Sequence, residues 1–236
     1  MGMGDVYDVV PGDVARAARE AVSDYVWTET AKRYPKEEQW RFGLDVDTWT
    51  GIKIVVDAWR NAHPNVTQSW WDWQDCALNA VDYPGHVQIS ETTKLKFACD
   101  KKRNFLLVRL PSGRFVHYPR PSVEEVKFGT SSRTVVKYYG LDRITKKKWV
   151  QRTLTPQILS ENVTSGTARD VLVDAMFRIE KAGYPIVLHV HDECVAQVPI
   201  GRADREEFRH IMCDSAPWLA GLPVASKVES GRRFWK

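Results

Sequence analysis

The sequence predicts an α+β fold, helical over residues 1–90 and built on antiparallel strands with packed helices over 91–236. Three observations carry this. Apolar residues recur at helical spacing between residues 11 and 82. Runs rich in β-branched and aromatic residues, separated by turn residues, fill 105 to 154. Residues 186 to 198 read as two short strands meeting at a polar turn, with Ile186, Val187, Leu188 and Val190 before it and Cys194, Val195, Ala196 and Val198 after it.

The elements follow in order. Pro11-Gly12-Asp13 gives a break and an N-cap, and Val14, Ala17, Ala18, Ala21, Val22 and Tyr25 place one helix over 11–34, closed by Tyr34-Pro35. Residues 36–50 are mixed and polar and read as a loop; Asp45 and Asp47, just before a helix, read as caps rather than metal ligands. A helix over 51–63 presents Ile52, Val55, Val56, Trp59 and Ala62, and His63-Pro64 breaks it. A third helix, 65–81, aligns Val66, Trp70, Trp73, Ala77 and Ala80, a stripe that reads as core. Strands follow at 105–110 and 114–118 around Pro111-Ser112-Gly113, then at 123–128, 133–139 and 147–153. A long helix over 160–182 has Ala168, Val171, Leu172, Ala175, Met176 and Ile179 as its buried stripe and ends at Gly183. A surface helix over 202–214 and a last short strand over 224–228 complete the chain.

Charge is unevenly spread. Residues 1–82 hold 8 Lys/Arg against 14 Asp/Glu, whereas 94–152 hold 16 against 4. An excess of one sign in one segment points to a phosphate-bearing partner, nucleic acid above all. Within it, Lys146, Lys147 and Lys148 beside Trp149 read equally as a phosphate contact or as the solvated tip of a hairpin. The four cysteines form no Cys-x-x-Cys pair, which argues against structural zinc and for reduced thiols. No apolar run approaches the ~20 residues that span a bilayer, and the N-terminus lacks the pattern of a signal peptide. A cytoplasmic location with no membrane partner is expected.

Asp192 and Glu193 at a rigid hairpin tip are oxygen donors of the kind magnesium or manganese takes. Four landmarks then stand in a telling order: Trp59-Arg60, His63-Pro64 and Trp70; Leu110-Pro111-Ser112-Gly113-Arg114 with Tyr118-Pro119; Glu161-Asn162 through Ala168-Arg169-Asp170; and Val190-His191-Asp192-Glu193. Together, and with Trp218, Gly221-Leu222-Pro223 and the tail 231–236, they resemble the C-terminal half of family A DNA polymerases, the DNA polymerase I type, and its phage members in particular. The resemblance covers the chain from about residue 50 onward. It implies a polymerase palm-type antiparallel sheet, preceded by a helical remnant of the fingers. It makes Val190–Glu193 motif C, with Asp192 a catalytic metal ligand and Glu193 an auxiliary catalytic carboxylate. His191 would meet the primer-terminal phosphate, and Arg114 and Ser165 would lie along the duplex; Arg169 is assigned to the surface.

The chain departs from the family pattern in two places. Ser165 stands where the family carries a glutamine that touches the minor groove. The aspartate of motif A and the Lys, Arg and Tyr of motif B are absent, and residues 1–4 look like the close of motif B. The resemblance therefore implies one subunit of a split polymerase. Its partners would be primer-template DNA, dNTP and an N-terminal polymerase fragment, and its cofactor Mg2+ in a two-metal site whose second carboxylate comes from that fragment. The alternatives are a non-catalytic DNA-binding accessory protein derived from a polymerase, and a metal hydrolase using Asp192, Glu193 and His189, the last placed on one strand face with His191.

Overall fold

The computed structural model describes residues 11–36, 43–100, 102, 104–128, 131–142, 145, 147–214 and 216–233. Helices α1 (Pro11–Ala21), α2 (Asp24–Ala31), α3 (Val46–Ala62) and α4 (Pro64–Asp82) come first. Strands β1 (Val87–Ile89), β2 (Lys96–Asp100), β3 (Phe105–Arg109) and β4 (Phe115–Pro119) form a four-stranded antiparallel sheet in that order. Then β5 (Ser122–Phe128), β6 (Ser131–Leu141) and β7 (Trp149–Leu154) form a three-stranded ribbon. Helix α5 (Pro156–Lys181), the two-stranded hairpin β8 (Ile186–Val190) and β9 (Glu193–Ala196), and α6 (Arg205–Cys213) complete the molecule. The mixture of helices and antiparallel sheets is the α+β architecture expected.

Several element boundaries differ from the sequence reading. The first helix is two, because Ser23 takes an extended conformation and caps α2 through Val26 N–H; Tyr25 then faces solvent. Helix α3 begins five residues early, since Asp45 is its N-cap and accepts from the amides of Asp47 and Thr48 and from the Thr48 hydroxyl. These bonds hold the Asp45 carboxyl below its usual range. Its buried residues are Trp49, Thr50 and Gly51, while Val55 and Trp59 are exposed. Gly51 is where α1 crosses: a Cβ there would lie 2.3 Å from Ala15 Cα. Helix α5 starts at Pro156, capped by Thr155, and Ala168 is exposed. Residues 224–228 form no strand, having no neighbouring strand with which to build a ladder.

The core joins α4 to both larger sheets and to the first turns of α5. Trp73, Ala77 and Ala80 of α4 pack with Phe97, Leu106, Val108, Tyr118, Val136, Tyr138, Leu154, Leu159 and Val163. It therefore runs across residue 90. The predicted stripe of α4 is buried at Trp73, Ala77 and Ala80, half-buried at Trp70 and exposed at Val66. Asp72 staples α4 to the turn after β1, accepting from the hydroxyls of Ser90 and Thr92, each at 2.6 Å. Burial raises the Asp72 carboxyl, but these hydroxyl bonds and the amides of Thr92 and Glu91 outweigh it and hold the group below its usual range.

Candidate nucleic-acid interface and metal-ligand hairpin

Two sequence segments far apart in the chain meet at the middle of α5. The turn between β3 and β4 is closed by Leu110 N–H donating to Arg114 O at 2.8 Å and Gly113 N–H to Leu110 O at 2.9 Å. Gly113 has a φ of +92°, which glycine adopts without strain. This presents Arg114 to α5, where Nε donates to Asp170 Oδ1 at 2.6 Å and Nη2 to the Gly166 carbonyl at 2.9 Å. Ser112 donates to the other Asp170 oxygen. Gly166 admits the turn: a Cβ there would lie 2.9 Å from Leu110 Cδ1. One strand further, Asn162 donates to the Tyr118 hydroxyl at 3.0 Å. Burial pushes that hydroxyl's pKa far up, and only the Asn162 bond opposes it.

Thus the second and third landmarks are one structural unit. Arg114 is half-exposed, with its side chain at 49% accessibility, while its partner Asp170 is at 11%. Ser165, exposed, is the residue before the Gly166 carbonyl that Arg114 grips. Asp170, Ser112 and Asn162 are positioning residues that the sequence motifs did not single out. The signal was present: all three lie inside the quoted motifs, and a carboxylate that near an arginine-bearing turn only declares itself once the turn docks.

The hairpin carrying Asp192 stands apart from that unit. Helix α5 ends with Gly183 at a φ of +87°, and Tyr184 behind it is buried edge-on against Phe208 of α6. Glu180 then accepts from Ile186 N–H at 2.6 Å, which sets the angle at which β8 leaves. The β8–β9 ladder closes with Val190 opposite Glu193, so His191 and Asp192 are the turn. Both are exposed, as is Glu193. His191 takes a φ of +50°, the positive value that a two-residue hairpin turn requires. A register irregularity between Ile186 and Leu188 bends the strand.

The two strands of the hairpin form a sheet of their own rather than joining a larger one. His189 stands opposite Cys194 within the ladder, whereas His191 lies in the turn beyond it. The strand alternation expected to put the two histidines on one face therefore stops short of His191. Among the described residues no three His, Cys, Asp or Glu gather into a metal-holding group. Asp192 and Glu193 alone do not fit a complete two-metal site, which needs carboxylates from at least two segments. Asp45, occupied as a helix cap, does not supply the second.

Lys147 and Lys148 are exposed in the connection between β6 and β7, with Trp149 beside them exposed; Lys146 and residues 1–4 and 234–236 lie outside the described residues. This connection is five ladder pairs, about 17 Å, from the Val136–Leu154 pair through which the ribbon enters the core. Arg133 and Arg152 of the ribbon lie over Trp71 and Tyr138, and Arg120, just before it, over Tyr139, at 5.6–5.7 Å.

Among known proteins, the chain is similar to a protein named DNA polymerase from Bacillus phage SP02, at 32% identity over 173 residues, which is 73% of this chain. The chain spans 25% of that relative's length. No family model and no solved structure matches. No helix among the described residues is long and apolar enough to cross a membrane.

Proposed function

We propose that the chain is the C-terminal part of a family A DNA-directed DNA polymerase, active when a partner chain supplies motifs A and B. The observation that carries this reading is the similarity, over 73% of the chain, to a protein named DNA polymerase. The docking of the Arg114 turn on Gly166 and Asp170 supports it, since two landmarks of the resemblance form a single rigid surface. In this reading 1–90 is the fingers-derived region and 91–236 the palm region, with β8–β9 awaiting a neighbouring strand from the partner.

Each residue then has a task. Asp192 presents carboxylate oxygens at the tip of the hairpin and is this chain's metal ligand; Glu193 is auxiliary. Asp192, together with a carboxylate of the partner, would hold Mg2+, whose chemistry when bound is to stabilise charge on the oxygens of nucleotidyl transfer. His191 donates to the primer-terminal phosphate. Arg114, already oriented by Asp170 and Gly166, reaches the duplex beside Ser165, whose hydroxyl takes the minor-groove position. Lys146, Lys147 and Lys148 contact the backbone further along. The reaction takes place in the host cytoplasm if the chain is phage-encoded.

Primer extension with magnesium tests the proposal, using this chain alone and then mixed with an upstream polymerase fragment. Synthesis only in the mixture supports it. Synthesis by this chain alone contradicts the need for a partner. No synthesis in either case, with salt-sensitive DNA binding retained, favours the accessory protein.

A further inference from the structure

The sheet β1–β2–β3–β4 buries one face and leaves the other open. Phe97, Cys99, Leu106, Val108 and Tyr118 point inward and are buried. The strand register sets the alternate residues in cross-strand rows on the opposite face. One row is Ile89–Lys96–Arg109–Phe115, and the next is Val87–Ala98–Leu107–His117. Half-buried Phe105, in the third row with Asp100 and Pro119, lies edge-on to His117 at 5.9 Å between ring centroids, and Phe115 lies 6.4 Å from the same imidazole. The Asp100 carboxylate sits at the end of the patch away from Lys96 and Arg109. Phe115 is 42% exposed and Ile89 52%.

The arrangement is unfavourable for the isolated sheet. Lys96 and Arg109 are direct cross-strand neighbours, and like charges in that position repel. An anion between them removes the repulsion. Phenylalanine and arginine also occur at protein interfaces, but lysine is depleted there, and the adjacent like charges of Lys96 and Arg109 favour an anionic partner. Rings clustered on an open sheet face beside cations are instead the combination that holds unstacked bases and their phosphates. A duplex hides its base faces and gains nothing from these rings.

We propose that this open face is a platform for single-stranded nucleic acid, with bases stacked on Phe115, His117 and Phe105 and phosphates on Lys96 and Arg109. If the chain acts as a polymerase part, the occupant is an unpaired strand of its substrate; the platform itself does not depend on Asp192.

The test is fluorescence anisotropy of the full chain with a labelled oligothymidylate and with a duplex of equal length. Phe115→Ala and His117→Ala should each weaken the single strand roughly five- to hundred-fold and leave the duplex unchanged. The Lys96→Glu, Arg109→Glu double variant should lower the slope of log affinity against log salt by about 1.4. Phe115→Tyr should bind as the parent does. Circular dichroism confirms that each variant is folded. Unchanged oligothymidylate binding in folded variants overturns the proposal, and so does a loss confined to association with a second polypeptide. Asp192→Ala should bind the oligothymidylate normally, so failure of the platform is distinguishable from failure of the polymerase reading.

Discussion

Arg114 illustrates how much a side chain's role depends on what holds it. Sequence resemblance assigns it to the duplex, and the fold ties two of its nitrogens to Asp170 and Gly166. An arginine oriented in this way loses less freedom when it meets a phosphate. Asp170→Asn keeps the shape and removes the charge. It should lower unfolding stability by about 1–2 kcal/mol, discounted for the half-exposed guanidinium, and weaken duplex binding as Arg114 disperses. Urea unfolding and duplex titration read the two effects, and an unchanged urea midpoint would refute the clamp.

A second residue-scale expectation concerns Cys76. Burial first, then the nearby Asp72 and Asp75 carboxylates, push its thiol from 9.0 up to about 11. The unfolded chain therefore ionises this thiol before the folded chain does. The associated stability is fully present below pH 9 and is lost as pH rises from 9 towards 11. Urea midpoints should fall across that window, and Cys76→Ser should flatten the decline. A decline of equal slope in the variant would assign it to other groups.

At the scale of elements, legibility followed locality. Helices α3 and α4 were visible as periodic runs, and the Pro111-Ser112-Gly113 turn declared its hairpin. The hairpin around His191 and Asp192 was legible because β-branched residues flank it on both sides. The break at Ser23 was hidden inside an apolar run that reads through it. Strands β1 and β2 were missed because their alternation is short, three and five residues, and carries only Phe97 and Cys99 as its buried pair. The Arg114–Asp170 contact spans 56 residues, so no local pattern contains it. Gly51 is likewise explained only by the helix that crosses it. Gly51→Ala should separate α1 from α3 and lower stability by about 1–3 kcal/mol, whereas Gly12→Ala, with open space around it, should be near neutral. Thermal unfolding of the two variants makes the comparison; equal effects would remove the crossing argument.

Across the whole molecule, two surfaces stand uncovered. Among the described residues the hairpin β8–β9 pairs with no other strand, and Val187 and Leu188 on it are 59% and 43% exposed. Phe177 on α5 is exposed as well. Unpaired strand edges beside apolar side chains attract further chain. The isolated protein should therefore elute above the 27.1 kDa of one chain and become a defined heterodimer when the upstream fragment is added. Light scattering on the eluting peak reads this, and a stable, monodisperse monomer contradicts it.

The central claim is that Asp192 is the carboxylate this chain brings to nucleotidyl transfer. The most direct measurement is the primer-extension rate of the reconstituted mixture with and without Asp192→Ala. Asp192 is an exposed turn residue, so its removal should leave the thermal midpoint, and association with the fragment measured without magnesium, unchanged. The account predicts a fall in rate of about a hundred- to a thousand-fold, the order of loss seen when a group stabilising transition-state charge is removed. A variant that associates normally and extends at the parental rate would contradict it.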